Sequence, residues 1–339
     1  MTWHAAWLVL TGLMFAGYLL TEGRSIGIGL ILPVLGRSDR DRDAVVDTIG
    51  PYFLGNEVWI VSVVGLLIGG FPVFEGTLLS GLFPLFAAFA LGMVVRGASF
   101  HFRRRHPSPR WRRGWAAAIT AASLVIALAL GAIAAALLHA LPLRPDGVLP
   151  LTAGVLFTPF GLACALTSML FFALRGAAFA ATRTRGPLAE RAIGLASLLT
   201  RLALAGAAIS FGVGLLAADV RASVQQPIVV WVLAGVVAVA LVVCDVFAMR
   251  AAPRRALALS GVVLLAAAAA VAVGRLPYLL VSRYGDSAGM TVAEGSADPI
   301  VLAPLFWVVA VLVPLLAALQ WWAGRLYRTA RATGARAYF

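Results

Sequence analysis

Nine apolar runs, most of them about 20 residues or longer as a bilayer crossing requires, set the limits on what this chain can fold into. They lie at Trp3–Leu35, Glu57–Phe71, Glu75–Phe100, Trp115–Leu141, Leu149–Ala181, Ala192–Ala217, Ile228–Met249, Ala256–Leu280 and Ile300–Tyr327. Hydrocarbon offers no partner for a backbone N–H or C=O, so runs of this length fold as helices. Apolar residues make up 62% of the 339 and charged residues 12%, against about 25% charged in a soluble domain. The expected fold is an all-α integral membrane protein of about nine transmembrane helices, in one polytopic domain over residues 1–339. The first and fifth runs exceed a straight crossing and are expected to end in a turn or a break. The N-terminus, Met1-Thr2-Trp3-His4, has no basic region ahead of its apolar run. It reads as a retained helix rather than a cleaved signal peptide.

The charge pattern orients these helices. Net charge is +13 and every basic residue is arginine. Nineteen arginines fall in alternate loops and the tail, in clusters such as Arg103–Arg105 with Arg110, Arg112 and Arg113, or Arg250 with Arg254 and Arg255. The tail supplies Arg325, Arg328, Arg331 and Arg336, whereas the intervening loops hold only Arg144, Arg221, Arg275 and Arg283. By the positive-inside rule the N-terminus is outside and the C-terminus cytoplasmic, which an odd number of spans requires. A basic balance distributed in this way reflects topology, not a nucleic-acid footprint. The longest polar segment, Val281–Pro299 with Asp286, Glu294 and Asp298, is the last outer loop. Val95-Arg96-Gly97-Ala98-Ser99-Phe100 is echoed by Leu174-Arg175-Gly176-Ala177-Ala178-Phe179. The echo fits a pseudo-repeat of helices 1–4 and 5–8 followed by a ninth. It fits equally a reused helix end, with arginine snorkelling to the interface and glycine allowing close packing.

Ionisable residues within apolar spans mark functional candidates, because burying a charge is costly unless it is paired or used. Gly55-Asn56-Glu57-Val58-Trp59 places an amide and a carboxylate at the mouth of the second span. The alternative is an interfacial anchor, since Trp favours the headgroup zone and Asn or Glu can cap a helix start. Glu22-Gly23-Arg24 interrupts the first span with two charges and a glycine. A glycine-broken helix of this kind forms ion and proton paths, or the two charges pair with neighbours and snorkel outward. Arg96, Arg201 and Asp245 are the other in-span charges, with Asp245 near an interface. Cys164 and Cys244 lie far apart and read as small core residues. Haem requires an axial His, Met, Cys or Tyr. His4, His101, His106 and His139 all fall at helix ends or in loops, and Met14, Met93 and Met169 read as packing. There is no Walker, GxSxG or HExxH motif. The residues alone describe a proton- or solute-handling membrane protein.

Several stretches together resemble subunit II of the cytochrome bd quinol oxidases. Gly50-Pro51 through Gly55-Asn56-Glu57-Val58-Trp59 is the most specific of them. The glycine-rich helix ending Phe71-Pro72, Arg96-Gly97 with Phe100 and Phe102, and Leu276-Pro277-Tyr278 also fit. So does Tyr18-Leu19-Leu20-Thr21-Glu22-Gly23, followed by Gly27 and Gly29. The resemblance implies a haem-free subunit II in a bacterial cell membrane, paired with a haem-bearing subunit I. That partner carries haems b and d and oxidises quinol, with reduction of dioxygen to water. The implied ligands of this chain are membrane lipid and a structural quinone or lipid, with no catalytic residue and no metal. Glu22, Glu57, Asn56 and Arg96 become proton-path candidates, and Trp59 takes the position of a tryptophan near an oxygen route to the partner haem. Two departures mark a divergent member. The family's Asp-Gly-Phe-Asp is here Glu22-Gly23-Arg24-Ser25, and its Trp-Asp ahead of Gly-Asn is here Phe53-Leu54. Those lost carboxylates, with the Glu22/Arg24 pair, leave a secondary transporter or membrane scaffold derived from the family as the alternative.

Overall fold

The computed structural model of the chain describes residues 3–50, 53–150, 157–284 and 289–332, with residues 53, 54 and 323–332 described by backbone alone. Pro51, Asp286 and Arg336 lie outside the described residues, as do the side chains of Leu54, Arg325, Arg328 and Arg331. The long helices are α1 (Trp3–Leu35), α3 (Phe53–Gly70), α5 (Phe83–Phe102), α6 (Pro109–Leu137), α7 (Pro159–Arg183), α8 (Pro187–Leu216), α10 (Pro227–Met249), α11 (Pro253–Gly274) and α13 (Pro299–Ala332). Short helices α2 (Asp39–Val46), α4 (Pro72–Gly81), α9 (Ala218–Ser223) and α12 (Val292–Gly295) join them. Proline opens most of these helices, where its missing N–H would be unpaired anyway and its fixed φ suits the first turn. Gly186, at φ +59° between α7 and α8, takes the left-handed turn that other residues resist.

Among the described residues, eight helices are long and apolar enough to cross a membrane, and nine spans result if the bent pair α3–α4 counts as one. The third expected span, Glu75–Phe100, is in fact divided. The chain turns by 116° between α3 and α4, because Pro72 cannot extend the helix that ends at Gly70. A second break at Leu82, ahead of Pro84, starts α5 at Phe83. The expected break in the first span is also absent. α1 runs unbroken for 33 residues, about 50 Å at 1.5 Å per residue, so it overreaches the hydrocarbon at its ends. Glycine removes only a side chain, and breaking the backbone ladder inside a bilayer would leave polar groups unsatisfied.

The glycines of α1 serve packing instead. A Cβ at Gly27 would strike the Phe172 carbonyl and the backbone of Gly176, so α1 and α7 cross backbone to backbone. α1 is thereby the central helix, with α3, α6, α7, α11 and α13 packed against it. The all-α fold carries one short two-stranded pairing. Tyr278–Leu280 (β1) pairs antiparallel with Met290–Thr291 (β2) in the last loop. Tyr278 continues the chain from the turn after α11, and a Thr291–Glu294 capping box starts α12. Ala297 N–H then donates to the Gly70 carbonyl at the α3–α4 bend, 2.9 Å. Trp7 Nε1 donates to the Leu302 carbonyl, also 2.9 Å, and ties α13 to the start of α1.

Candidate functional site

Tyr18, Glu22 and Ser25 recur at helical spacing, with Thr21 beside them, and so form one polar face of α1. This face meets α3 and α5. Arg96 Nη2 on α5 donates to Glu22 Oε1, and both side chains are completely buried at 0% exposure. Met93 Sδ, one turn earlier on α5, lies 3.5 Å from Arg96 Nη2 and 3.9 Å from the Tyr18 hydroxyl. From α3, Asn56 Nδ2 donates to Ser25 Oγ at 3.1 Å and to the Thr21 carbonyl at 3.2 Å. Four of the residues singled out from sequence therefore come together: Glu22 and Arg96 as an ion pair, Asn56 against α1, and half-buried Glu57 beside it. Tyr18 lies within electrostatic reach of both Arg96 and Glu57. Glu57 has no ion-pair partner among the described residues.

The pair is energetically demanding. Removing one member of a buried ion pair strands the other and costs roughly 3–5 kcal/mol. Glu22 Oε2 and Asn56 Oδ1 are buried acceptors without a hydrogen-bond partner among the described residues. Buried acceptors in protein interiors are where internal water and protons bind. Trp59 is buried on the same helix, and a Cβ at Gly17 would overlap its ring, so glycine at 17 is what admits it.

A second arginine approaches α1 from α7. Arg175 Nη2 donates to the Leu20 carbonyl at 2.6 Å, while Nη1 reaches the Leu257 carbonyl and Ser260 Oγ on α11, both at 3.3 Å. Gly23 and Gly261 leave the room this side chain occupies. The two echoed Arg-Gly motifs thus grip α1 from α5 and from α7. Snorkelling does not describe them: Arg96 is fully buried and Arg175 is 5% exposed. Arg24 points elsewhere on α1, with Nε donating to the Thr21 carbonyl at 3.3 Å and its guanidinium 5.3 Å above the Phe179 ring. The Glu22 carboxylate takes its ion-pair partner across helices, in Arg96.

The model of the family described as cytochrome bd terminal oxidase subunit II matches residues 3–327. The chain belongs to that family. It is similar to cytochrome bd ubiquinol oxidase subunit 2 of Bacillus subtilis, 24% identical over 328 residues and covering 96% of each chain. It is also similar to cytochrome bd-I ubiquinol oxidase subunit 2 of Escherichia coli K12, 29% identical over 61% of this chain and 57% of that one. The solved bd oxidase of Geobacillus thermodenitrificans shares its fold, with a TM-score of 0.73 at 16% identity over 96% of this chain and 99% of the other. This is therefore a multi-pass bacterial membrane protein and a subunit II of a cytochrome bd-type quinol oxidase.

At the arginine-rich end of this subunit, α2 forms a clasp. Ser38 caps it, accepting from Asp41 N–H at 3.0 Å. Asp43 accepts from Arg103 on α5 and from Arg112 on α6. Arg104 reaches Asp47 at 2.7 Å, and Arg191 on α8 reaches Asp41 at 3.0 Å. Burial pushes the Asp43 carboxyl up, but hydrogen bonds from Arg112 and Arg103 outweigh it and hold the group below the usual carboxylate range. The bond from Arg191 likewise lowers Asp41. The alternation of aspartate and arginine from Arg37 to Asp47 was the available signal, each acid being placed to meet a different helix end.

Other candidates stay apart from the cluster. Asp245 accepts from Ser197 Oγ at 2.6 Å and from Arg201 Nε at 3.0 Å, a surface pair with Arg201 62% exposed. Cys244 Sγ is 3.5 Å from the Ala256 carbonyl, and neither cysteine is in a disulfide. His139 Nε2 is 3.1 Å from Thr158 Oγ1, and burial lowers its pKa. His101 and His106 sit at the arginine-rich end, and His4 near the start of α1. Met93 sulfur is already engaged by Arg96 and Tyr18. This donor set does not fit a haem held inside the bundle.

Proposed function

We propose that this subunit holds no haem and works beside a haem-bearing subunit I, which carries haems b and d, oxidises quinol and reduces dioxygen to water. Its contribution is a polar cluster at the junction of α1, α3 and α5 that helps deliver protons toward the partner. The observation carrying this reading is Glu57, a half-buried carboxylate without a cationic partner among the described residues, set beside the buried Glu22–Arg96 pair. Glu22 is committed to Arg96, so Glu57 is the group free to take up and release a proton. Asn56, held by Ser25 and Thr21, fixes the start of α3 and with it the position of Glu57. Ser25 stands where the family carries an acid and keeps a hydroxyl there to relay a hydrogen bond.

The arginine asymmetry supports an external N-terminus and a cytoplasmic C-terminus. On that orientation Arg96 lies seven residues before Arg103, about 10 Å above the cytoplasmic clasp, a short distance for proton entry. The packing of Trp59 against Gly17 supports an oxygen route between α1 and α3. The shared turn of Arg96 and Arg175 toward α1 supports one domain built of two related sets of four helices and a ninth. Quinol, membrane lipid and a structural quinone or lipid complete the partners.

The test is oxygen consumption per haem in membranes, with assembly checked by haem spectrum. Glu57→Gln is expected to assemble and turn over at least tenfold more slowly, a typical loss for a proton-transfer group. Parental turnover in an assembled Glu57→Gln complex would make this glutamate structural and assign the proton route to the partner.

A further inference from the structure

We propose that the groove between α10 and α11 binds one anionic phospholipid from the leaflet at the arginine-rich end of the bundle. The groove is open along its side, has a volume of about 470 Å³ and is lined almost entirely by apolar groups, with Val232, Val236, Val239 and Val243 on α10 and Leu259 and Val262 on α11. From Val232 to Val243 it runs about 17 Å along the helix, a length suited to an acyl chain. Two arginines stand at its end. Arg250 follows Val243 by seven residues, and Arg255 precedes Leu259 by four and Val262 by seven, so both continue the lines of residues that form the walls.

Both arginines are exposed. The Arg255 guanidinium stacks 5.1 Å above the Phe247 ring, which holds it at the groove end. No carboxylate pairs with Arg250 or Arg255 among the described residues. The neighbouring acid, Asp245, is turned to α8, where Ser197 and Arg201 occupy both of its oxygens. An alkyl-lined channel that opens onto two guanidinium groups matches an amphiphile with an apolar tail and an anionic head. Basic pockets between transmembrane helices bind anionic lipid headgroups on the same principle. Neither arginine belongs to the polar cluster of α1, α3 and α5, so the two sites fail or hold independently.

The experiment uses the purified oxidase complex in neutral detergent, with bound lipid followed by native mass spectrometry and melting temperature. Phosphatidylglycerol is expected to stay bound and raise the melting temperature, while phosphatidylcholine and inorganic phosphate do neither. The double variant R250Q/R255Q should retain phosphatidylglycerol roughly thirtyfold more weakly, at about 1 kcal/mol per arginine. Gly235→Trp offers a second route, since Gly235 lines the groove and a side chain there meets open space. It should displace the lipid without touching a charge, with haem content and turnover unchanged. Undiminished phosphatidylglycerol retention in both variants would overturn the proposal. So would equal stabilisation by phosphatidylcholine, a full effect from inorganic phosphate alone, or a protein crosslinked to the groove through position 239.

Discussion

The Glu22–Arg96 pair joins two helices with both side chains fully buried, and it makes the two glutamates of the cluster unequal. Glu22→Gln leaves Arg96 buried without its counter-charge, a cost of roughly 3–5 kcal/mol. The expected outcome is a sharp loss of assembled, haem-containing complex, together with slow turnover in whatever assembles. Glu57→Gln strands no partner and should spare assembly, so haem content against turnover separates the two roles. Asp245→Asn, at the surface pair with Arg201, should leave turnover within a factor of two, since exposed pairs contribute about 0–1 kcal/mol. The residues of this cluster were legible in the sequence because charges are rare in apolar helices. Their pairing was not. Glu22 lies two residues from Arg24 and 74 from Arg96, yet residues two apart point to opposite sides of a helix. Only the packing of α5 against α1 decides the partner. Arg175 passed as half of an echo for the same reason, since its acceptors are backbone carbonyls and a serine hydroxyl.

At the scale of elements, two features organise the bundle: the α1–α7 crossing and the α2 clasp. Gly27→Leu would drive a side chain into the Phe172 carbonyl and the Gly176 backbone, and backbone cannot yield as a side chain can. It should cost about 3 kcal/mol or more and abolish assembly. Gly65→Leu, where a Cβ meets nothing within 4 Å, should be tolerated, and the yield of assembled complex reads the difference. The clasp predicts a pH dependence. Asp43 and Asp41 are held below their unfolded values, so their stabilisation is complete above the ordinary carboxylate pKa of about 4. It is lost as pH falls through the lowered folded values. Protection of the α2 amides from hydrogen exchange, taken relative to the intrinsic rate at each pH, should therefore be high at neutral pH and fall on acidification below about pH 4, and Asp43→Asn should lower it already at neutral pH. Helix existence was readable from apolar length, while the helix starts at Pro109, Pro159 and Pro187 differ from the expected Trp115, Leu149 and Ala192. The helix end at Phe71–Pro72 was readable as well, but not the 116° turn that follows it or the break at Leu82 inside the Glu75–Phe100 run, because hydropathy reports burial rather than direction.

At the scale of the whole molecule, the exposed apolar surface is the dominant fact. Ile300, Trp307, Val308 and Val311 on α13, and Ile228, Trp231 and Val239 on α10, are all exposed, as lipid or a partner subunit requires. Alternating arginine clusters predict its orientation: a reporter fused after Phe339 or inserted near Pro107 should be cytoplasmic, and one near Gly289 external. The family match over residues 3–327 establishes a subunit of an oxidase, and the dispersed histidines and engaged Met93 sulfur support the proposal that another chain holds the haem. Affinity purification of the tagged chain from native membranes, followed by a haem spectrum of the whole complex and of the separated subunits, tests this most directly. The account predicts a second membrane subunit in the eluate, b- and d-type absorption in the complex, and no stoichiometric haem on this chain once separated. A haem retained tightly by this chain alone, or a chain recovered intact with no haem-bearing partner, would contradict it.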